Sequence, residues 1–223
     1  MFLKRSYDRE IMDDFSIQDR RIDEALSELK IANKYLGGIS TTMAGLNILF
    51  NREKEISILD VGAGGSDNLI FLRNKFTGIK IISIDLNKRA CKFLKRSNVG
   101  NTICADVLNV PVRSKQVDIV HASLFLHHFN KDKIKKMLVD FLNISKKGII
   151  INDLRRSIPA LIGIKIIAAL FSKSEMFKND GPISVRRGFV KKDWRIMLKE
   201  SGIKKFEIKR KWAFRWLIVI YNE

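Results

Sequence analysis

The chain has 223 residues, 46% of them hydrophobic and 30% charged, which suits one domain with a sizeable core and excludes a disordered or fibrous chain. Lys and Arg number 42 against 24 Asp and Glu, a formal net charge of +18, and the excess falls mainly on residues 131–223. Any anionic partner is therefore expected at the second half, whether nucleic acid, an anionic membrane face or an acidic substrate, although a lysine-rich solvated surface accounts for the same charge.

The start, "MFLKRSYDREIMDD", lacks the apolar run and cleavage site of a secretory signal. In "SIQDRRIDEALSELKIANKYLGG", Ile22, Ala25, Leu26, Leu29, Ala32 and Leu36 recur at helical spacing, with Ser16 near the opening and Gly37–Gly38 as the stop. "TTMAGLNILF" predicts a second, shorter helix. Residues 1–50 thus read as a helical cap. From residue 55 strand-length apolar runs alternate with helical segments: "EISILDVG", "SDNLIFLRNKF", "KIISIDL", "KRACKFLKRS", "NTICADVL", "VDIVHASLFL", "KDKIKKMLVDFL" and "KGIIINDL". That alternation predicts parallel strands joined by right-handed crossovers, an α/β sheet covered on both faces, over residues 51–154.

Residues 155–190 break the pattern and read as a lid or substrate insertion. "PALIGIKIIAALF" is an apolar helix too short to span a bilayer. It is expected either to pack over the sheet or to close a pocket, with Ile162, Ile166, Leu170 and Phe171 as the apolar wall. "SKSEMFKNDGPISVRRG" reads as a polar, turn-rich connection. Residues 191–223 resume with the helix "KKDWRIMLKESG" and two strands, "KKFEIKRKW" and "RWLIVIY", close enough to form an antiparallel hairpin. Cys91 and Cys104 are the only cysteines, with no CxxC spacing, so the chain suits a reducing cytoplasm.

In an open parallel sheet, ligands bind outside the carboxyl ends of the strands where strand order reverses. The first strand here runs into "DVGAGGSDN". A dinucleotide fingerprint would read GxGxxG, but Asp67 stands at the third glycine position, where its charge opposes a pyrophosphate. A cationic ligand bearing adenosine fits better. Asp60 lies beside the turn, Asp85 closes the second strand where a carboxylate reaches ribose hydroxyls, and Asp106 closes the third within reach of an adenine amino group.

With these residues in view, "ILDVGAGGSDN", "ISIDLN", "ADVLNVPV" and "VDIVHASLFLHHF" resemble the successive motifs of class I S-adenosylmethionine-dependent methyltransferases, over roughly residues 50–221. The resemblance implies a Rossmann-like seven-stranded sheet in order 3-2-1-4-5-7-6 with the last strand antiparallel, and S-adenosylmethionine as cofactor, with S-adenosylhomocysteine as product. It also implies that Gly62, Ala63 and Gly64 border the methionine part, that Asp85 and Leu86 border the ribose, and that Asp106 and Val107 border the adenine. Asp60 and His121 complete the expected cofactor set. Ser66 stands where the family often has a further glycine. "EIMDD", "GG", "NDGPISVRR" and "FRWLIVI" are similar to bacterial methyltransferases related to quinone biosynthesis or associated with type III polyketide synthases, which implies a phenolic, polyketide-like or quinone-like acceptor.

All three histidines, His121, His127 and His128, lie at the end of the fourth strand. Methyl transfer is an in-line displacement that needs a deprotonated nucleophile, and an imidazole titrating near its ordinary ~6.5 is suited to accept the proton. His127 and His128 are the candidate bases, and His121 is the candidate pocket wall or bonded core residue. Adjacent histidines are expected to diverge, with no carboxylate pair nearby, so no metal site is expected. Asn152, Arg155, Arg156, Arg186 and Arg187 are the candidate substrate-binding residues, since a guanidinium holds a phenolate or carboxylate well. Two alternatives remain at this point: a ribosomal, transfer or other nucleic-acid methyltransferase, motivated by the charge, and a non-catalytic cofactor-binding protein. The segment "ASLFLHHF" differs from the [ND]PP[YF] of enzymes that methylate base amino groups. A peripheral contact with an anionic membrane is expected if the acceptor is lipophilic, and the sequence is silent on oligomeric state.

Overall fold

The computed structural model describes residues 4–50, 55–73, 78–98, 100–109 and 112–222. The end of the helix expected through Phe76 and the side chain of Asp67 lie outside the described residues.

Seven strands form one sheet in the order β3-β2-β1-β4-β5-β7-β6: β1 Ile56–Val61, β2 Ile79–Asp85, β3 Asn101–Cys104, β4 Val117–Ser123, β5 Ser145–Leu154, β6 Phe206–Lys211 and β7 Arg215–Tyr221. β1 to β5 are mutually parallel, and β7 runs antiparallel to both β5 and β6. The expected order and the antiparallel last strand are observed. Alternation along the strands sorts side chains to two covered faces. Leu59, Val61, Val120, Ala122, Ile149 and Ile151 point toward α5 (Lys131–Ile144) and α8 (Lys191–Glu200), against Phe141, Trp194 and Leu198. Ile56, Ile58, Ile119 and Ile150 point the other way, toward α2 (Gly38–Leu49) and α3 (Asp67–Arg73).

The helical cap differs in detail from expectation. α1 (Arg20–Tyr35) starts after Asp19, whose carboxylate accepts from the Arg21 N–H at 3.0 Å, rather than at Ser16. Gly37 ends it with φ of 76°, and Gly38 already opens α2. A Cβ on Gly37 would lie 1.6 Å from the Trp212 carbonyl oxygen, so the glycine lets the cap close against the β6–β7 turn. α4 (Lys88–Arg96) follows β2 and is capped by Asn87.

Two expectations about the insertion are overturned. The stretch read as a turn-rich connection is α7 (Glu175–Arg187), with Pro182 inside it. The Ser174 hydroxyl caps the helix at Phe177 N–H, and Gly181 lets it approach Ile164 of α6 (Ile158–Phe171). Tertiary packing here outweighs the turn preference of the Gly-Pro pair. The apolar wall is also on the opposite face: Ile162, Ile166, Leu170 and Phe171 are 52–76% exposed, while Ala160, Gly163, Ile164 and Ile167 face the interior cavity. A helix apolar on every side gives no periodic clue to its inner face. No helix among the described residues is long and apolar enough to cross a membrane.

Candidate functional site

A cavity of about 580 Å³ opens above the carboxyl ends of β1, β2 and β4, at the point where strand order reverses. That volume is in the range of small-molecule sites, roughly 300–1,000 Å³. One end is formed by the turn after β1. Gly62 holds φ of 61°, and a Cβ there would fall 1.9 Å from the Phe125 ring. Only glycine allows this turn to fold under that ring. Ser66 also adopts a positive φ, 52°, and its hydroxyl donates to the Asp60 carboxylate. The serine in place of a glycine therefore keeps the turn's backbone and gains a buried anchor.

Of the expected cofactor residues, Asp60, Gly62, Ala63, Gly64, Asp85, Leu86, Asp106, Val107 and His121 all border this cavity. Their side chains are employed differently. Asp85 accepts from Gly64 N–H and Asn87 N–H, each at 2.8 Å, which ties β2 to the glycine turn and leaves a second lone pair on each oxygen for a ligand. Burial raises its carboxyl above the ordinary value, outweighing those two N–H groups. Asp106 accepts from Leu108 N–H. Asp60 has both oxygens occupied internally, by Ser66 and by His121 Nδ1 at 2.7 Å. His121 Nε2 meets the Thr42 hydroxyl at 3.0 Å, and that hydroxyl accepts from Asn152 Nδ2, also at 3.0 Å. A buried polar chain thus links the glycine turn to α2.

That chain corrects one substrate assignment. Asn152 is wholly buried, donates to Gly38 O and Thr42, and accepts from Arg215. The four arginines are corrected as well, for none of them borders the cavity. Arg155 lies over the Phe214 ring, Arg156 donates to Gly188 O and pairs with Asp193, and Arg186 pairs with Asp8 at the surface. Arg187 is buried and donates to Asp13 and to the carbonyls of His127 and His128, so it braces the histidine turn from behind.

The histidines form the other end of the cavity. His127 and His128 lie in a single 3-10 turn, Leu126–His128, and their rings stand side by side with centroids 4.3 Å apart and an interplanar angle of 31°. The expected divergence is therefore overturned. Each Nδ1 is held by a carboxylate: His127 by Asp153 at 2.7 Å, His128 by Asp13 at 2.6 Å. Both Nε2 atoms then face Glu10, at 3.6 and 3.9 Å. Burial would raise the carboxyls of Asp153 and Asp13, but their histidine partners, and Arg187 at Asp13, outweigh it and hold both below the ordinary range. Burial pushes Glu10 up to about 7, against the opposing pull of His128 and Arg187.

Glu10 and Asp13 are site residues that the sequence reading missed. They arrive through a 3-10 turn, Ile11–Asp13, whose Ile11 and Met12 N–H groups donate to Asp180 of α7 at 2.7 and 3.0 Å. The signal lay in "EIMDD" and "NDGP", which the fold brings together across some 170 residues. The apolar middle of the cavity comes from Leu26 and Leu29 of α1, Ile164 and Ile167 of α6, and Phe177 of α7.

Residues 58–148 match the family model of a methyltransferase domain. No curated protein matches the sequence significantly. Among solved structures, the plantazolicin methyltransferase BamL, in complex with a triazolic desmethylPZN analog and SAH, is similar at a TM-score of 0.65 and 21% identity, over 86% of this chain and 71% of that one. Human N-acetylserotonin methyltransferase in complex with SAM gives 0.68 and 12%, over 97% and 60%. Magnesium protoporphyrin IX methyltransferase from Synechocystis PCC 6803, with bound SAH, gives 0.57 and 15%, over 85% and 83%.

Proposed function

We propose that this chain is a class I S-adenosylmethionine-dependent methyltransferase that O-methylates a small, partly apolar acceptor of phenolic, polyketide-like or quinone-like chemistry. One observation carries the reading: two carboxylate-anchored imidazoles open into the same cavity as the glycine turn. The bound donor supplies an electrophilic methyl on a sulfonium sulfur. Gly62, Ala63 and Gly64 receive its methionine part, Asp85 and Leu86 its ribose, and Asp106 and Val107 its adenine, while Asp60 and His121 hold the turn from below.

The acceptor lies against Leu26, Leu29, Ile164, Ile167 and Phe177, with its hydroxyl toward His127 and His128. Asp153 and Asp13 fix each Nδ1 as the donor, leaving Nε2 to take the hydroxyl proton and the carboxylates to stabilise the imidazolium that forms. Of the two, His128 is the more exposed, with a side chain 24% accessible against 2% for His127. The apolar walls keep water from the reacting atoms.

Small-molecule acceptors named for the neighbours, among them N-acetylserotonin and protoporphyrin, support this reading over nucleic acid. The exposed outer face of α6, with Ile158, Ile162, Ile166, Leu170 and Phe171, together with the net charge of +18, supports a peripheral contact with an anionic bilayer that delivers a lipophilic acceptor. Cytoplasmic residence and the cap, core, insertion and hairpin boundaries at residues 50, 154 and 190 belong to the same proposal.

The test is transfer of a deuterium-labelled methyl from S-adenosylmethionine to a panel of alkylated phenols and quinols and, in parallel, to short RNA, read by mass spectrometry. Label on a phenolic oxygen and none on RNA is the expected result. Label on RNA alone contradicts the reading.

A further inference from the structure

Glu10, His127 and His128 line the same cavity and each offers one ligand atom, with all three atoms within 4.8 Å of one another. The two Nε2 to carboxylate separations, 3.6 and 3.9 Å, exceed the hydrogen-bond range of about 2.7–3.2 Å. They approach the spacing of about 3.3–3.4 Å between two ligands of a tetrahedral zinc, each about 2.0–2.1 Å from the ion. Glu10 is 6% exposed, and its Oε1 accepts no hydrogen bond; Arg187 Nη1 lies 3.4 Å and His127 Nε2 3.6 Å from it. The buried Glu10 carboxylate thus turns Oε1 toward His127 Nε2 and Oε2 toward His128 Nε2, with Arg187 as its ion-pair partner.

The surroundings fit the same reading. Metal-ligating histidines present one ring nitrogen while the other donates to a carboxylate, which fixes the tautomer. Here both histidines do so, through Asp153 and Asp13. Charge also leaves room. Glu10, Asp13, Asp153 and Asp180 surround the pair, opposed by the guanidiniums of Arg187 and Arg5, which donates to His127 O. Acidic side chains around the pair thus outnumber guanidiniums, four to two.

We infer that Glu10, His127 and His128 form a binding site for one divalent transition-metal ion, taken up through two imidazole Nε2 atoms and one carboxylate oxygen. The donor set suits zinc, and three protein ligands leave a fourth position open toward the cavity. This deepens the methyltransferase reading, on which its catalytic consequence rests. With an ion in place the imidazoles would be ligands rather than bases, and the open position would hold the acceptor as its anion, its proton lost to bulk water before it enters the cavity, the methyl–sulfur bond breaking as the oxygen–carbon bond forms. Binding of the ion itself does not depend on that consequence.

The experiment uses the full, tag-free chain. After chelator treatment, Zn²⁺ is titrated by calorimetry into the native protein, into Glu10→Gln and into His128→Ala, each also titrated with S-adenosylhomocysteine to show an intact fold. The expected result is one Zn²⁺ per chain, with affinity at least about a hundredfold weaker in both variants and unchanged S-adenosylhomocysteine binding. Asp13→Asn, beyond the ligands, should cost about tenfold to a hundredfold. No saturable Zn²⁺ binding, or binding indifferent to Glu10→Gln and His128→Ala, overturns the inference. Should a variant fail to fold, Co²⁺ added to the native chain decides. Ligand-field bands without thiolate charge transfer support the site, whereas a thiolate-to-cobalt band places the ion at Cys91 or Cys104 and overturns it. Turnover by stripped protein at the full rate confines failure to the ion's catalytic role, whereas metal binding without turnover on any phenol confines it to the proposed function.

Discussion

The two ends of the cavity are built by different means. The glycine end is local: a turn, a strand end and a helix start within residues 60–68, joined to Asp85 and Asp106 at the next two strand ends. The histidine end is assembled from four distant segments, with Glu10 and Asp13 before α1, His127 and His128 after β4, Asp153 near the end of β5, and Asp180 and Arg187 on α7. One end follows from strand order alone. The other exists only once the cap, sheet and insertion have docked.

If this division of labour is correct, variants at the two ends should separate cleanly. Replacing both His127 and His128 by Ala should lower kcat by about 10²–10⁴, the usual worth of a positioned acid–base group. S-adenosylhomocysteine affinity should change less than about twofold. Equal losses in both quantities would mean that the histidine turn also shapes the cofactor site. Conversely, Asp85→Ala removes a carboxylate that meets backbone N–H groups and faces the cavity, and should weaken cofactor affinity by about tenfold to a hundredfold.

The difference between the ends also explains what was legible in the sequence. β1 to β5 show apolar runs of strand length bounded by turns, so topology and the position of the glycine turn could be read directly, with Ser66 and Asp67 standing where glycines were expected. Glu10 and Asp13 look like ordinary surface acids in "EIMDD", because their role depends on Asp180 capturing two N–H groups some 170 residues away. The arginines of the insertion misled for the reverse reason. Their charge suggested an acceptor clamp, yet Arg187 does not line the cavity and is engaged by Asp13, Glu10 and the backbone carbonyls of the histidine turn. α6 misled because its composition is apolar on all sides.

Smaller effects refine the contrast. Asp180→Ala should free the Ile11–Asp13 turn and reduce kcat/KM by about tenfold, a loss of roughly 1.4 kcal/mol in transition-state stabilisation, with cofactor affinity unaltered. A steady-state assay paired with S-adenosylhomocysteine titration checks both halves of that statement. The least effect belongs to the outer face of α6. Ile166→Ser, at a site 52% exposed, should shift stability by no more than about 0.5 kcal/mol and leave turnover of a water-soluble phenol unchanged. Co-sedimentation with vesicles of phosphatidylglycerol should fall in the same variant, and an unchanged pellet would remove α6 from the membrane contact.

The most direct test of the account is calorimetric titration of S-adenosylhomocysteine into three proteins: the native chain, Asp85→Ala, and the double variant His127→Ala/His128→Ala. The account predicts one saturable site in the native chain, binding weakened by about tenfold to a hundredfold in Asp85→Ala, and near-native binding in the double variant. Folded native protein that binds no S-adenosylhomocysteine, or binding that ignores Asp85 and follows the histidines instead, would contradict it.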